Sequence, residues 1–312
     1  MSKKIATRAA YGEALIQLGR ENPGVVVLDA DLSKSTMTAG FGKTFPERFF
    51  NMGIAEQNMI GTAAGLAAAG KIPFCSTFAV FAAGRAFDQV RNSVAYSGLN
   101  VKIGASHAGI TVGADGGSHQ SVEDIALMRA LPNMTVFVPA DAVETAGAVR
   151  AAAELQGPVY IRLGRSPVPV LHEPGFKFEP GRAVVLREGR DAAILATGIM
   201  VSAALEAAEL LAAEGLEVDV LDIHTIKPLD VEAVVAAAKR TGALVTVEEH
   251  SIIGGLGSAV AEALVENHPV LMKRLGVPDR FGESGSPEEL LEYFRLTPKW
   301  IAAAVKETVA RK

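Results

Sequence analysis

A two-domain α/β protein is the fold class that this sequence predicts, with a mostly parallel sheet flanked by helices in each domain. First, short runs that are apolar at every position alternate with longer helix-like segments, and such runs are typical of strands buried on both faces of a parallel sheet. Second, 312 residues exceed the roughly 100–200 residues of a typical single domain. Third, a stretch rich in proline and glycine at 166–181 separates two such alternations.

The first half of the chain begins with an amphipathic segment at 5–19, which predicts a helix. Asn22, Pro23 and Gly24 end it, and the apolar run at 25–28 predicts a buried strand. The same alternation then repeats, as expected for a parallel sheet with helices on both faces. Further helices are predicted at 55–69, 79–97, 121–130 and 141–154, and further strands at 101–105, 135–138 and 159–163.

Proline and glycine recur through the next stretch, and we therefore predict a first domain at 1–165, a linker at 166–182 and a second domain at 183–312. A second α/β alternation follows the linker. Its predicted strands are 192–196, 217–221 and 243–247, and its predicted helices are 200–214, 231–239, 257–267 and 297–310.

Charge and cysteine content argue against several classes of protein. Lys and Arg number 30 against 35 Asp and Glu, and a net charge of -5 argues against nucleic-acid binding and against a polybasic membrane surface. The single cysteine, Cys75, excludes an intrachain disulfide framework. No signal peptide is recognisable at the start, and no apolar run reaches the ~20 residues that span a bilayer. We expect a cytoplasmic protein.

Polar clusters follow three of the predicted strands or begin the helices after them, where ligands bind in open parallel sheets. One lies at 29–35, and one surrounds Glu56 at 51–58. The third, at 106–120, holds two histidines and an aspartate among four glycines, which let backbone approach a ligand closely. The alternative for this third cluster is a mobile loop with solvated histidines. A metal site is less attractive because no third ligand lies at the usual local spacing.

Glu56 and the phenylalanines after it each allow two interpretations. A carboxylate at a helix N-terminus is often only a partner of the helix dipole, whereas burial in apolar surroundings would favour its protonated form and a proton-donating role. Phe74, Phe78 and Phe81 have a spacing more typical of a helix core than of a platform for a flat heterocycle.

Taken together, three segments resemble the pyrimidine-binding domain of the thiamine-diphosphate enzymes of the transketolase family. They are FPERFFNMGIAEQ at 45–57, STFAVF at 76–81 and GADGGSHQ at 113–120. Their order and spacing match the family, and the resemblance continues through the family's C-terminal domain. It therefore covers nearly the whole chain and implies that 1–165 is the pyrimidine-binding domain and 183–312 the C-terminal domain.

The resemblance implies a thiamine diphosphate cofactor. Its C2 becomes a carbanion, which is the reactive group of these enzymes. Glu56 would bond to the pyrimidine nitrogen and favour the imino tautomer, whose 4′ nitrogen removes the C2 proton. Phe78 and Phe81 match the aromatic residues that pack against the pyrimidine, and Asp31 is also assigned to cofactor binding.

The resemblance also implies substrate contacts. His119 and Asp115 match groups that contact the reacting carbonyl and the hydroxyls of a sugar, and this makes His119 a second candidate catalytic residue. Transketolases carry a histidine at the position of His107, whereas deoxyxylulose-phosphate synthases usually do not. The family's other phosphate contacts fall on Arg8, Ser35 and Arg165. Guanidinium and hydroxyl groups suit a phosphate monoester, and together with His107 these four groups lie on four separate segments, which favours a phosphorylated sugar.

One motif of complete transketolases is missing from the sequence. Their N-terminal domain binds the diphosphate through a Gly-Asp-Gly motif and a divalent metal. This sequence contains no Gly-Asp-Gly. The resemblance thus implies one subunit of a two-chain transketolase, which transfers a two-carbon ketol unit from a ketose phosphate to an aldose phosphate in the pentose phosphate pathway. Its partner would be an N-terminal, diphosphate-binding subunit that holds Mg²⁺ or another divalent cation, in a heterotetramer with two chains of each kind. We assign no metal ligand to this chain.

Three alternatives remain at this point. A β subunit of a 2-oxo acid dehydrogenase shares the architecture, but Arg8, His107 and Arg165 disfavour it. An enzyme similar to 1-deoxyxylulose-5-phosphate synthase is disfavoured by His107. A non-catalytic regulatory homologue is the third, and the intact Glu56, Phe78 and His119 argue against it.

Overall fold

The first half of the chain forms alternating strands and helices in a computed structural model that describes residues 3–312. Its strands are β1 (Lys4–Ala6), β2 (Val25–Asp29), β3 (Phe49–Asn51), β4 (Ile72–Phe78), β5 (Lys102–Ser106), β6 (Thr135–Phe137), β7 (Val159–Arg162) and β8 (Pro167–Pro169). Its helices are α1 (Thr7–Glu21), α2 (Ser33–Thr36), α3 (Ala39–Thr44), α4 (Glu56–Ala68), α5 (Phe87–Gln89), α6 (Asp124–Ala130) and α7 (Ala142–Glu154). π-helical turns at Phe81–Arg85 and Val90–Ala95 flank α5.

The second half repeats this alternation with a smaller sheet. Its strands are β9 (Val184–Arg187), β10 (Ala192–Ala196), β11 (Val218–Asp222), β12 (Thr225–Lys227), β13 (Ala243–Ser251) and β14 (Leu271–Val277). Its helices are α8 (Met200–Ala213), α9 (Val231–Thr241), α10 (Leu256–Asn267), α11 (Pro287–Tyr293) and α12 (Pro298–Val309). The five-stranded sheet has the order β14-β13-β10-β11-β9 and is parallel except for the edge strand β9.

The larger sheet places the candidate site. Its seven strands have the order β12-β6-β7-β5-β4-β2-β3, and all pairs are parallel except that of β12 with β6. β5 lies between β4 and β7, and its residue Ser106 pairs with Phe78. The segments that follow β2, β4, β5 and β7 therefore leave the sheet at the same edge, where ligands bind in such sheets.

Local sequence fixes several helix ends. The Asp141 carboxylate accepts the backbone N–H of Glu144 and caps α7, and Asp230 caps α9 in the same way. Gly242 ends α9 with a φ of 65°, a left-handed conformation that glycine adopts without steric cost. These caps satisfy backbone groups that would otherwise lack a partner at the helix ends.

The two halves share buried apolar surface. One core cluster contains Leu28 and Val136 of the first sheet together with Leu195, Leu221 and Leu244 of the second. In addition, β12 belongs to the second half of the chain but extends the first sheet. The domains are thus packed together rather than merely tethered. No helix within residues 3–312 has the length and apolar character needed to cross a membrane.

The predicted fold class, α/β with two mostly parallel sheets, is confirmed, and most predicted elements lie within a few residues of the observed ones. The interpretation of the phenylalanines as a helix core is wrong, because Phe74 and Phe78 lie in β4. The helix predicted at 79–97 is interrupted by π-helical turns, and the one at 121–130 begins only at Asp124. The boundaries at 165 and 183 stay predictions.

Candidate active site

Four aromatic rings gather at the carboxyl edge of the larger sheet, and we call them the aromatic cluster: Phe78, Phe81, His107 and His119. The rings of Phe78 and Phe81 stack with centroids 5.8 Å apart and planes at 12°. The imidazole of His107 stacks on Phe78 at 3.8 Å, and His119 meets Phe81 edge-on at 5.7 Å. Phe78 ends β4 and His107 follows β5, so the register of these neighbouring strands brings the rings together.

His107 is the most enclosed member of this cluster. Its side chain is 3% exposed, and Nδ1 lies 2.9 Å from the hydroxyl of Ser106. Burial lowers the pKa of His107 to about 3, and the positive charges of Arg8 and Arg165 add to this effect. The imidazole is therefore neutral near pH 7. Its φ of 56° is uncommon for a residue with a side chain, and strain of this kind concentrates at functional sites.

Two guanidinium groups, which we call the arginine pair, lie beside His107. Nε of Arg8 donates to the backbone carbonyl of Arg165 at 3.3 Å, and Nη1 of Arg8 donates to the carbonyl of Ser35 at 2.7 Å. Arg165 also donates to the carbonyl of Val112. Burial lowers the pKa of Arg8, and so does the charge of Arg165.

In the part of the chain that the structure describes, the arginine pair lacks a carboxylate partner. Among residues 3–312, no acidic side chain forms an ion pair with either arginine. Two adjacent cations without a counter-ion repel each other, and an anion that binds between them removes this repulsion. Guanidinium groups bind phosphate-like anions through paired, charge-assisted hydrogen bonds. The geometry therefore suits a ligand with a terminal anionic group.

Glu56 lies in the first turn of α4 and is 1% exposed, but it is not in apolar surroundings. Nη1 of Arg85 donates to its two carboxylate oxygens at 2.9 and 3.0 Å. The guanidinium of Arg85 also lies over the ring of Phe81, 4.3 Å from its centroid. Apolar surroundings were the condition for the proton-donating interpretation of Glu56, and the contact with Arg85 shows that this condition is not met. Arg85 connects Glu56 to the aromatic cluster.

The remaining predicted site residues lie at the periphery. The exposed Asp31 accepts a hydrogen bond from Asn51 at 2.9 Å, on the segment that leads to Glu56. Asp115 is exposed in the loop after β5. That loop is anchored, because the buried amide of Gln120 donates to the carbonyls of Ile110, Gly113 and Glu283 at 3.2, 3.1 and 2.8 Å. The alternative of a mobile loop with solvated histidines does not hold for His107, which is buried.

A buried polar network, which the sequence analysis did not predict, contacts the loop at 106–120 and stabilises it. Nε of Arg162 donates to Asp124 at 2.9 Å, and Nη2 donates to the carbonyl of Glu249 at 2.9 Å. The Glu249 carboxylate accepts the backbone N–H of Thr111 at 2.5 Å, which ties the second domain to the loop. Burial raises the pKa of Glu249 to about 7. Gly109 is required at this contact, since a Cβ there would lie 2.3 Å from the carboxyl carbon of Glu249.

Comparison with known proteins adds independent findings. Residues 3–170 match the family model described as the transketolase pyrimidine binding domain, and residues 181–301 match the transketolase C-terminal domain. A protein assigned as a transketolase C-terminal section, from Methanocaldococcus jannaschii, is 51% identical over 98% of this chain and 96% of its own length. A 6-deoxy-6-sulfo-D-fructose transketolase subunit from Clostridium sp. is 49% identical over 98% of this chain and 95% of its own.

Among solved structures, a split gene transketolase described as an inactive β4 tetramer has a similar fold. It is 59% identical to this chain, covers 99% of both chains and gives a TM-score of 0.91. This similarity extends over both domains and over the segments that carry the aromatic cluster and the arginine pair.

Proposed function

The chain belongs to the transketolase family, and from this membership we propose that it is the C-terminal subunit of a two-chain transketolase. The complex would transfer a two-carbon ketol unit from a ketose phosphate to an aldose phosphate, with thiamine diphosphate and a divalent cation. The relatives described as a C-terminal section and as a transketolase subunit support this division of the enzyme into two chains.

The observation that carries the proposal is the arginine pair beside the neutral His107. A ketose phosphate has its anionic group at one end and its reacting carbonyl near the other. An anion on Arg8 and Arg165, with Ser35 beside them, would leave the sugar free to extend toward the aromatic cluster. His107, Asp115 and His119 are then available for its hydroxyls and its carbonyl, and His119 is the histidine that we assign to the reacting carbonyl. A 2-oxo acid has no remote phosphate, and the dehydrogenase alternative leaves the arginine pair without a role.

The residues present fit the pyrimidine half of thiamine diphosphate. Phe78 and Phe81 offer stacked apolar rings, and the buried Glu56 carboxylate offers an acceptor at a helix N-terminus. When bound, the cofactor would supply the nucleophilic carbon that the ketose carbonyl requires. The role of Glu56 is to hold the proton at the pyrimidine ring nitrogen. Asp31 is proposed to contribute to the same binding site.

Arg85 affects how Glu56 can perform this role. Both Glu56 oxygens accept hydrogen bonds from Arg85, so a pyrimidine nitrogen at Glu56 has to share or replace that contact. The side chain of Arg85 is 48% exposed, so water can solvate its guanidinium once the pyrimidine nitrogen replaces its contact with the buried Glu56. Arg85 therefore keeps the buried carboxylate compensated until the cofactor binds.

A separate N-terminal subunit would hold the diphosphate and the divalent cation. The side chain of Ile54 is 79% exposed and that of Phe50 39%, and both lie within six residues of Glu56. Large apolar side chains so exposed beside a binding site are typical of surfaces that a partner protein covers. The similar β4 tetramer is described as inactive, which agrees with a catalytic site that one chain does not complete. We propose a heterotetramer with two chains of each kind, in the cytoplasm.

A sulfonated sugar is the second candidate substrate. One relative at 49% identity is a 6-deoxy-6-sulfo-D-fructose transketolase subunit. A sulfonate is also a tetrahedral anion with three acceptor oxygens, and the arginine pair could bind it in the same manner as a phosphate. Whether this enzyme acts in the pentose phosphate pathway therefore depends on whether the site prefers a phosphate or a sulfonate.

Reconstitution tests the division of the enzyme. The chain should be co-purified with an N-terminal transketolase subunit and assayed for ketol transfer with thiamine diphosphate and Mg²⁺. We expect activity from the mixture and no measurable activity from this chain alone, and calorimetry should show only weak cofactor binding by the isolated chain. Tight cofactor binding, or turnover, by the isolated chain would contradict the two-chain proposal.

A further inference from the structure

Three buried side chains with metal-ligating atoms meet where the two domains and the segment between them join, and we call them the acid cluster: Glu144, His172 and Asp222. Glu144 lies in the first turn of α7, Asp222 ends β11, and His172 lies between the domains. Nε2 of His172 lies 3.9 Å from a Glu144 oxygen and 3.8 Å from an Asp222 oxygen. One ligand atom from each residue lies within 4.8 Å of the others.

A fourth residue fixes how His172 points. Oδ2 of Asp141 lies 3.2 Å from Nδ1 of His172 and accepts the backbone N–H groups of Leu171 and His172 at 2.6 and 2.7 Å. This contact places the proton of a neutral imidazole on Nδ1, so the lone pair of Nε2 faces Glu144 and Asp222. A histidine that binds a metal usually donates a hydrogen bond from its other ring nitrogen to a carboxylate or carbonyl, which fixes the orientation of the ring.

The acid cluster carries more negative charge than its surroundings compensate. Four buried atoms of the cluster find no hydrogen-bond partner among residues 3–312: one oxygen of Glu144, both carboxylate oxygens of Asp222 and Nε2 of His172. Within residues 3–312, no lysine or arginine forms an ion pair with Asp141, Glu144 or Asp222. Buried charges without partners are strongly unfavourable.

Either protons or a cation must supply the missing positive charge. Burial raises the pKa of Glu144 and of Asp222 well above the ordinary carboxyl range, and this favours protons when no cation is present. If only protons compensate the charge, the Nε2 lone pair of His172 still faces the carboxyl groups of Glu144 and Asp222. Few hydrogen bonds can form among these three groups. A metal ion would instead satisfy the imidazole nitrogen and the free carboxylate oxygens together.

We propose that the acid cluster binds one divalent transition-metal ion, with Zn²⁺ as the first candidate, and that this ion joins the two domains. One imidazole nitrogen and two carboxylates are a common ligand set for such ions, and Asp222 can supply a fourth donor with its second oxygen. The distances from Nε2 of His172 to the two carboxylate oxygens, 3.8 and 3.9 Å, correspond to an angle of about 130° at an ion about 2.1 Å from each donor, and the three donor atoms would move closer together to reach tetrahedral geometry.

This site is independent of the proposed transketolase activity. The cation of the cofactor would be held mainly by the partner subunit, whereas the acid cluster lies within this chain and shares no residue with the aromatic cluster. Its ligands come from both domains and from the segment between them, and the bound ion should therefore resist their separation. A ligand that binds only the folded state stabilises it in proportion to its affinity and concentration.

Metal analysis of the full chain tests this proposal directly. The chain should be treated with a chelator, reloaded with Zn²⁺ or with the spectroscopic substitute Co²⁺, and freed of excess ion by gel filtration. We expect one retained ion per wild-type chain, a higher Tm in the loaded form, and the visible absorption of Co²⁺ bound by nitrogen and oxygen in four-coordinate geometry.

Substitutions in the cluster locate the ion. We expect Glu144→Gln and Asp222→Asn to lower retained metal at least tenfold, whereas Glu188→Gln, at an exposed site elsewhere, should retain it fully. The proposal is overturned if the wild-type chain retains no ion and its Tm does not respond to Zn²⁺ or Co²⁺, as a cluster that holds only protons predicts. It is also overturned if folded variants bind as well as the wild type. If the variants do not fold, the stoichiometry and spectrum of the wild-type chain still decide the question.

Discussion

The arginine pair and the acid cluster are both charged regions without compensating partners among the described residues 3–312, but their charges have opposite signs. The arginine pair lies at the edge of the larger sheet, where it remains partly exposed. The acid cluster is sealed between the domains. Histidine shows the contrast, because the pKa of His107 is lowered to about 3 by burial and by neighbouring cations. Burial acts in the same direction on His172, but its hydrogen bond to Asp141 and the nearby carboxylates outweigh it and raise the pKa.

The contrast indicates that the solvent exposure of an uncompensated charged region distinguishes a substrate-binding site from a structural ion site. A substrate must enter and leave during each turnover, so the region that binds it has to stay open. A structural ion needs to enter once and is held best where water is excluded. The pair of Glu56 and Arg85 differs from both regions, since its charges already compensate each other. We therefore expect this pair to affect turnover, the arginine pair to affect substrate affinity, and the acid cluster to affect stability.

The largest effect is expected at the compensated pair. In the reconstituted complex, Glu56→Gln should lower kcat by about 10²–10⁴-fold, because an amide cannot hold the proton that the proposed role requires. The Tm of the complex should change little, since an amide can still accept a hydrogen bond from Arg85. Steady-state kinetics beside the control Glu188→Gln measures this effect. Turnover near the wild-type value would show that Glu56 has another role.

A smaller effect, confined to one class of donor, is expected at the arginine pair. Arg165→Ala removes one charge-assisted contact worth about 1.5–3 kcal/mol, so kcat/KM for a phosphorylated donor should fall by roughly 10–150-fold. Much of the loss should appear in KM, because the phosphate lies far from the reacting carbonyl. Hydroxypyruvate has no phosphate and serves as the matched control. Equal losses for both donors would mean that Arg165 only supports the loop through its contact with Val112.

The smallest effect is a pH dependence of stability from His107. An unfolded histidine has a pKa near 6.5, whereas that of His107 is lowered to about 3 in the fold. Above pH 6.5 both states are neutral and His107 contributes nothing. As the pH falls from about 6.5 toward 3, the unfolded state takes up the proton first, and stability is lost. Between pH 7 and pH 5, the Tm of the His107→Asn variant should therefore fall less than the Tm of the wild type.

NMR of the His107 ring provides the direct check of this effect. Its chemical shift should stay constant between pH 5 and 8, whereas an exposed histidine would titrate near pH 6.5. A midpoint near 6.5 for His107 would show that neither its burial nor the cations beside it lower its pKa, and the contrast between the two charged regions would fail.

Much of the fold could be predicted from the sequence because buried parallel strands are apolar at every position. The run at 25–28 is β2, and the run at 192–196 is β10. In contrast, β14 was not predicted, since Lys273 and Arg274 interrupt its apolar pattern at the edge of a sheet. β4 was obscured because Phe74, Phe78 and Phe81 also have a helix-like spacing, although two of the three lie in the strand.

The candidate site was predictable only where its residues cluster along the chain. The loop at 106–120 carries His107 and His119 close together, and a resemblance of motifs added the more distant residues. Nothing in the sequence pairs Glu56 with Arg85, which lie 29 positions apart. The acid cluster was equally hidden, because Glu144, His172 and Asp222 come from three separate segments and show no metal-ligand spacing. Only the packing of the two domains brings them together.

Donor preference of the reconstituted wild-type complex tests the central claim most directly. The measurement compares kcat/KM for fructose 6-phosphate, 6-deoxy-6-sulfofructose and hydroxypyruvate, with the same aldose phosphate as acceptor. If the arginine pair binds the anionic end of the sugar, at least one of the two anionic sugars should exceed hydroxypyruvate, and added inorganic phosphate or sulfate should compete with that sugar. Equal or higher kcat/KM for hydroxypyruvate, together with no competition by either anion, would contradict the account.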